Sequence, residues 1–174
     1  MIENADKIGT EGAVKGSRFQ QDLLDHWRDI QQSRRFPDKR AFRPQKFPKF
    51  LPQLAIVSVN DHKEFDDRLT GAAVSEVLKL NSQDDRLVAA PDTSIRTLML
   101  DILGRAIDAR EPIYFKGRFR PDASSAIPFT ALVLPFSHNG DEDILDTLML
   151  AFDFSKEHRM ELVHPSGEDK PQNF

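Results

Sequence analysis

The chain has 174 residues, 39% hydrophobic and 30% charged, which is enough for one domain with a real core and short for two. A net charge of −4 gives no bulk attraction to nucleic acid or anionic lipid, and no apolar run approaches the roughly 18 residues of a membrane span. Zero cysteines exclude disulfides, thiolate metal sites and cysteine nucleophiles. The opening MIENADKIGTEG lacks the apolar stretch of a secretory signal, so the expected location is cytoplasmic.

Residues 1–16 are polar and without period, and are expected to form a mobile N-terminal arm. Ser17 is placed to cap a helix running to about Arg35, with Phe19, Leu23, Leu24, Trp27 and Ile30 on one stripe. Residues 36–52 hold four prolines and four phenylalanines, a composition that suits a folded-over connector with short helical turns. Gln53–Asn60 reads as a strand, Asp61-His62 as a tight turn, and Lys63–Thr70 as the returning strand. Gly71 ends the hairpin, a helix follows to about Leu80, and 81–85 is a loop. A second long helix begins with Thr93 or Ser94 as cap and carries Ile95, Leu98, Met99, Ile102, Leu103 and Ile107 on its apolar stripe. Three strands close the chain, Ile113–Arg120, Ile127–Ser137 and Asp143–Phe154, the last two joined by the turn signal HNGD. Residues 156–174 are charged and without period, and read as a tail. The domain is therefore expected at 17–155, with 17–35 as its flanking helix. Strands joined by short turns are antiparallel, and helices segregated from them make an α+β fold.

The segments LLDHWRDIQQSRRFPDK, FPKFLPQLAIVSV, FDDRLTGAAV, ILGRAIDAREPIYFKGRF and ALVLPFSHNGDEDILDTLMLAFDF occur in an order and spacing that resemble the bacterial family of short, stand-alone PAS-domain proteins. The resemblance covers about residues 20–155. It implies a five-stranded antiparallel sheet in the order 2-1-5-4-3, with helices over one face and an N-terminal flanking helix. It also implies sensing through a cofactor, a small molecule or a signalling protein. The family's Tyr-Arg-Leu-x-Gly-Thr segment is matched at Arg68, Leu69 and Gly71, whereas Asp67 and Ala72 depart from it.

No cofactor is expected. A flavin adduct or a coumaroyl thioester needs a cysteine, and a haem of the PAS type usually takes a histidine from the long helix, where residues 92–110 have none. His26, His62, His138, His158 and His164 show no metal-ligand spacing. Ser137, His138 and Asp141 lie in a stretch better explained as a turn than as a catalytic triad, and no phosphate-binding glycine loop is present. Gly104, inside the long helix, reads as a close-packing point. The expected role is non-enzymatic, exerted through another chain.

Strand parity and the long helix's stripe nominate a cavity lined by Leu69, Ile102, Phe115, Phe119, Phe129 and Met149, with Asp67 and Thr147 as its polar groups. Lys116, Arg118 and Arg120 alternate on the third strand; they suit a basic sheet edge better than an acidic-ligand site. The stripe of Phe19, Leu23, Trp27 and Ile30 is a candidate homodimer interface. Two further readings stand beside the sensor: a small cavity enzyme with Asp67 or Asp153 as general base, and an interaction scaffold with a filled core. No nucleic-acid or membrane partner is expected.

Overall fold

The computed structural model describes residues 1–7, 16–80, 86–90, 92–120, 126–138 and 141–154. The expected loop at 81–85, the Asn139-Gly140 turn and the tail at 156–174 lie outside these residues. Six antiparallel strands form one sheet: β1 (Ile2–Lys7), β2 (Leu54–Val59), β3 (Phe65–Thr70), β4 (Ile113–Phe119), β5 (Ile127–Phe136) and β6 (Thr147–Asp153), in the spatial order β1-β4-β5-β6-β2-β3. Leaving β1 aside, this is the expected order 2-1-5-4-3. The helices are α1 (Arg18–Gln31), α2 (Ala72–Val77) and α3 (Thr93–Ala109), and three single-turn 3₁₀ helices punctuate the connector at Lys39–Ala41, Pro44–Lys46 and Leu51–Gln53.

β1 corrects two expectations. Residues 2–7 are not an unstructured arm, because they pair along β4 from Ile2 opposite Gly117 to Lys7 opposite Ile113. β4 is consequently an inner strand, so the basic-edge explanation of Lys116 and Arg118 does not hold. The polar composition of 2–7 hid the strand, since an edge strand can be held by its ladder hydrogen bonds with little apolar patterning.

Helix ends also moved. α1 stops at Gln31, where Gln32 takes a positive φ of 51°, rather than reaching Arg35. Asp92, not Thr93 or Ser94, caps α3, its carboxylate accepting from the backbone N–H groups of Ser94 at 2.8 Å and Ile95 at 3.3 Å. β6 begins at Thr147 rather than Asp143, because 142–143 form a turn.

The sheet is covered on both faces. The inner face carries Ala55, Val57, Val59, Ile113, Phe115, Phe129, Ala131, Val133, Leu148, Leu150 and Phe152, and α2 and α3 close over it with Val74, Leu98, Met99, Ile102 and Leu103. The outer face carries Leu54, Tyr114, Leu132, Leu134, Phe136, Met149 and Ala151, and α1 and the connector close over it with Phe19, Leu23, Trp27 and Phe47. β5 and β6 are central and buried on both sides, and for that reason read as nearly continuous apolar runs rather than alternating ones.

α1 is fixed to the sheet by polar bonds as well as by packing. Gln20 is fully buried. Its Nε2 donates to the carbonyls of Ala151 at 2.8 Å and Thr130 at 3.3 Å, while its Oε1 accepts from Thr130 Oγ1 at 3.2 Å and from the Ser17 N–H at 3.0 Å. Trp27 Nε1 donates to the carbonyl of Pro135 at 2.8 Å. Each bond satisfies a polar group that burial would otherwise penalise.

Candidate functional site

The candidate residues separate between the two faces. Ile102, Phe115, Phe119 and Phe129 meet on the inner face as expected, at 0, 0, 6 and 1% exposure. They pack closely with their neighbours: the Phe119 ring lies 6.1 Å from those of Phe129 and Phe154, and Phe152 stacks on Phe154 at 5.5 Å. Leu87 and Ala90, from the segment after α2, are fully buried in the same cluster. Phe119 also lines a cleft of about 400 Å³ with Met1, Ser94, Arg118, Arg120 and Ala126, at the end of β4.

Leu69, Met149 and Thr147 belong elsewhere. A β-bulge between β2 and β3 sets Leu69 opposite Ile56 but Asp67 opposite Val57, so Arg68 is the extra residue and the side chains change face across it. Simple alternation had grouped Phe65, Asp67 and Leu69 together; the bulge keeps the first two inward and sends Leu69 outward. Met149, opposite Ile56 on β6, is also outer, as is Thr147, whose Oγ1 donates to Asp146 Oδ1 at 2.9 Å.

Leu69 and Met149 help to line a groove of about 660 Å³ on the outer face. Leu54 and Ile56 share its floor, Phe42, Pro44 and Pro48 of the connector form one wall, and Leu69–Ala72 with Leu51 form the other. The glycine at 71 is required here by close approach rather than by its backbone angle: its φ is −65°, and a Cβ there would collide with the carbonyl oxygen of Pro52. The absent side chain lets β3 and the connector meet, which closes the groove at that end. Leu51 and Leu69 remain 38% and 49% exposed.

His26 holds the connector wall. It is buried at 5% exposure against the rings of Phe42 and Phe47, at 5.5 and 5.4 Å, and its Nε2 accepts from the Arg43 N–H at 3.3 Å. Burial, then the charge of Lys46, pushes its pKa down; Asp29 opposes and Arg43 adds to the fall. Its neighbour position to Trp27 gave no hint of this role, because the partners come from residues 42–47.

Beside the groove, sharing Lys39 with it, lies a polar cleft of about 710 Å³ that includes Thr147, Ser58, Asp66, Arg68, His138 and Asp146. Its charges are largely engaged with one another. Asp66 pairs with Arg86 at 3.1 Å and Arg68 at 3.4 Å, Arg68 Nε donates to Ser58 Oγ at 2.9 Å, and the His138 N–H donates to Asp146 at 2.7 Å.

Asp67 has a distinct environment. Its Oδ2 accepts from the Val88 N–H at 3.0 Å, and Oδ1 is buried without a hydrogen-bond partner. Burial is the largest influence on its carboxyl and raises the pKa; Asp66 adds to this, while the Val88 and Leu87 N–H groups and Arg86 oppose it. A raised carboxyl is what a general base would need. Here, however, the carboxylate ties the segment 86–90 to β3, and it lines neither the outer groove, nor the polar cleft, nor the cleft at Phe119. Asp153 is buried opposite Thr130 on the outer face.

The dimer candidates are accounted for within the chain. Phe19, Leu23 and Trp27 are 6, 0 and 4% exposed and pack on the sheet, with Ile30 partly buried at the margin. That stripe presents no free apolar face to a second copy. Gly104 is also corrected: a Cβ there would meet nothing within 4 Å, so it is not a packing point. No helix among the described residues is long and apolar enough to cross a membrane, and no group of three potential metal ligands gathers among them.

A central antiparallel sheet with this strand order and with helices α2 and α3 on its inner face defines an α+β module of the sensor type. The chain matches the family model for the PAS domain over residues 16–149, well over half its length, and it belongs to the PAS-domain family. PAS domains are sensor and signalling modules in general, and the family membership gives this chain that general role. No curated protein sequence matches it.

Proposed function

We propose that the protein is a non-enzymatic regulatory module of signal transduction, whose outer face is its working surface and whose inner face is a structural core. The observation that carries this reading is the placement of the apolar surface. Ile102, Phe115 and Phe129, expected to line a ligand cavity, are buried in the inner core and line neither groove nor cleft, whereas the groove with accessible apolar walls lies on the outer face. Exposed apolar walls of this kind are what a contacting segment would cover. Soluble, cytoplasmic action fits the composition.

Native mass spectrometry of freshly purified protein, paired with thermal unfolding, tests this. The bare chain mass is expected, with a melting temperature unchanged by mild organic extraction and refolding. A co-purified small molecule whose removal lowers the melting temperature would reassign the inner face as a ligand site.

A second reading, a small cavity enzyme, is favoured by one feature: the partly buried Asp67 carboxyl with its raised pKa and unpartnered Oδ1. It requires substrate space beside that oxygen. Displacement of segment 86–90, seen as rapid amide exchange at Val88, would supply that space; protection of Val88 equal to that of the sheet would remove the reading.

A further inference from the structure

We propose that the outer groove docks an acidic amphipathic helix of another protein, with the helix's apolar stripe seated between the connector and β3 and its carboxylates on the connector's cations. This deepens the preceding reading, since it takes the outer face as the working surface and names the chemistry of the partner.

Charge selects the partner. The whole chain carries −4, yet residues 36–52 hold five cations, Lys39, Arg40, Arg43, Lys46 and Lys49, against the single carboxylate of Asp38. Arg40 engages Asp38. Among the described residues the other four form no ion pair. Arg43, Lys46 and Lys49 are exposed and Lys39 is half-buried. They interleave along the connector with Phe42, Pro44 and Pro48 of the groove wall, and Lys39 itself lines the groove. Among the described residues that lining includes no carboxylate. In the neighbouring cleft Asp66 is held by Arg68 and Arg86, and Asp146 accepts from the His138 N–H and the Thr147 hydroxyl. The field behind the wall is positive: Lys46 lowers the His26 pKa more than Asp29 raises it, and Arg43 adds to the fall. A cationic rim on an otherwise acidic protein draws an anionic partner and repels a basic one.

Backbone chemistry selects the partner's form. β2, in the groove floor, is already paired with β3 and with β6, so it offers no free ladder edge to an added strand. Pro44, Pro48 and Pro52 contribute no N–H to the walls. What the groove presents is side chains: Leu51, Leu54, Ile56, Leu69 and Met149. An occupant must satisfy its own backbone, as a helix does, and supply apolar residues at helical spacing. A lipid surface is instead penetrated by projecting apolar side chains, whereas here they line a recess of about 660 Å³.

The test uses the full chain with methionine methyls isotopically labelled, and two synthetic helical peptides sharing one leucine stripe. One peptide has glutamate at the remaining positions, the other lysine. The glutamate peptide is expected to shift the Met149 signal and leave that of Met99, 1% exposed in the inner core, unmoved. The lysine peptide should bind about tenfold more weakly. Lys39→Glu with Lys49→Glu should reverse that order, and Leu69→Asp, at a position 49% exposed, should weaken both peptides. An unchanged Met99 signal verifies the fold of each variant. A Met149 signal unmoved by the glutamate peptide would overturn the proposal, as would equal binding of the two peptides. So would a Met149 shift on concentrating the protein alone, which would make the occupant a second copy, or a stronger shift with phosphatidylserine vesicles than with peptide, which would make it a lipid surface. Preference for the lysine peptide would end this assignment and leave the outer face as the working surface; a small molecule co-purified in the inner face would end the preceding reading instead.

Discussion

The inner face of the sheet is closed by α3 through apolar side chains, whereas the outer face is closed by α1 and a proline-rich connector that use Gln20, Trp27 and His26 to bond backbone groups directly. Apolar packing is strong but weakly directional; a buried hydrogen bond adds little net energy but is costly to leave half-made. The inner layer is therefore held mainly by packing. The outer layer fixes where α1 and the connector sit, and with them the shape of the groove. The variants below separate these contributions.

The largest effect is expected at Phe115, fully buried on the inner face. Phe115→Ala should cost about 3–5 kcal/mol in urea unfolding, as truncation of a core aromatic does, and should weaken both layers together. Loss of α3 with the outer layer intact would break the comparison, by showing that the two layers unfold independently.

Gln20→Leu comes next. It removes the amide that serves the carbonyls of Thr130 and Ala151 and the Thr130 hydroxyl, at an expected cost of about 1–3 kcal/mol. Amide exchange should accelerate across α1 while α3 keeps its protection. Equal acceleration in both helices would show that Gln20 supports the whole fold rather than the position of α1.

Much of this organisation was legible in the sequence. The periodicity around Phe19–Ile30 and Ile95–Ile107 located both long helices, and the runs at 54–59, 127–136 and 147–153 located strands whose order the family resemblance supplied. Two features escaped for physical reasons. Alternation assumes an unbroken ladder, and the bulge at Arg68 breaks it, which moved Leu69 from the expected cavity to the outer groove. Burial on both faces was written in the unalternating runs LVLPF and LMLAF, yet the covering partner of α1 could not be chosen from α1 alone. A stripe looks the same whether it meets its own sheet or another copy. Gln20 beside Phe19 offered one signal, since a polar residue inside an apolar stripe marks a site needing a buried partner.

The connector is tested through pH. His26 accepts a hydrogen bond in its neutral form, and protonation would set Nε2–H against the Arg43 N–H. Its folded pKa is lowered below the ordinary value of 6.5 by burial and by Lys46. The unfolded chain therefore takes up a proton first as the pH falls. The contribution of neutral His26 is complete above about pH 6.5 and is lost as the pH falls toward the folded value, at no more than about 1.4 kcal/mol per pH unit. Urea midpoints from pH 7.5 to 5 should show this decline, and His26→Gln should flatten it. A decline unchanged in the variant would assign it to another group.

Gly104→Ala probes α3 without touching either face. With nothing within 4 Å of the added Cβ, the gain should approach the helix preference of alanine over glycine, about 0.5–1 kcal/mol. A loss in thermal unfolding would mean that this side of α3 contacts residues beyond those described.

Asp67 gives the smallest and most informative change, because only its sign matters. Its folded pKa is raised, so the native state holds a proton more tightly than the unfolded chain does. Its contribution is most favourable at low pH, declines as the pH rises through the ordinary carboxylate range, and carries its full penalty above the folded value. Asp67→Asn keeps an oxygen for the Val88 N–H and removes the buried charge. It should therefore raise the melting temperature at pH 7, with the advantage shrinking toward pH 3. Asp67→Ala removes the acceptor too, and should lower the melting temperature at both. A lower melting temperature for Asp67→Asn at pH 7 would mean that attraction to Arg86 and the two backbone N–H groups outweighs burial. The carboxylate would then be a charged clasp on segment 86–90, which ties the otherwise apolar inner layer to a polar bond of the kind that positions α1.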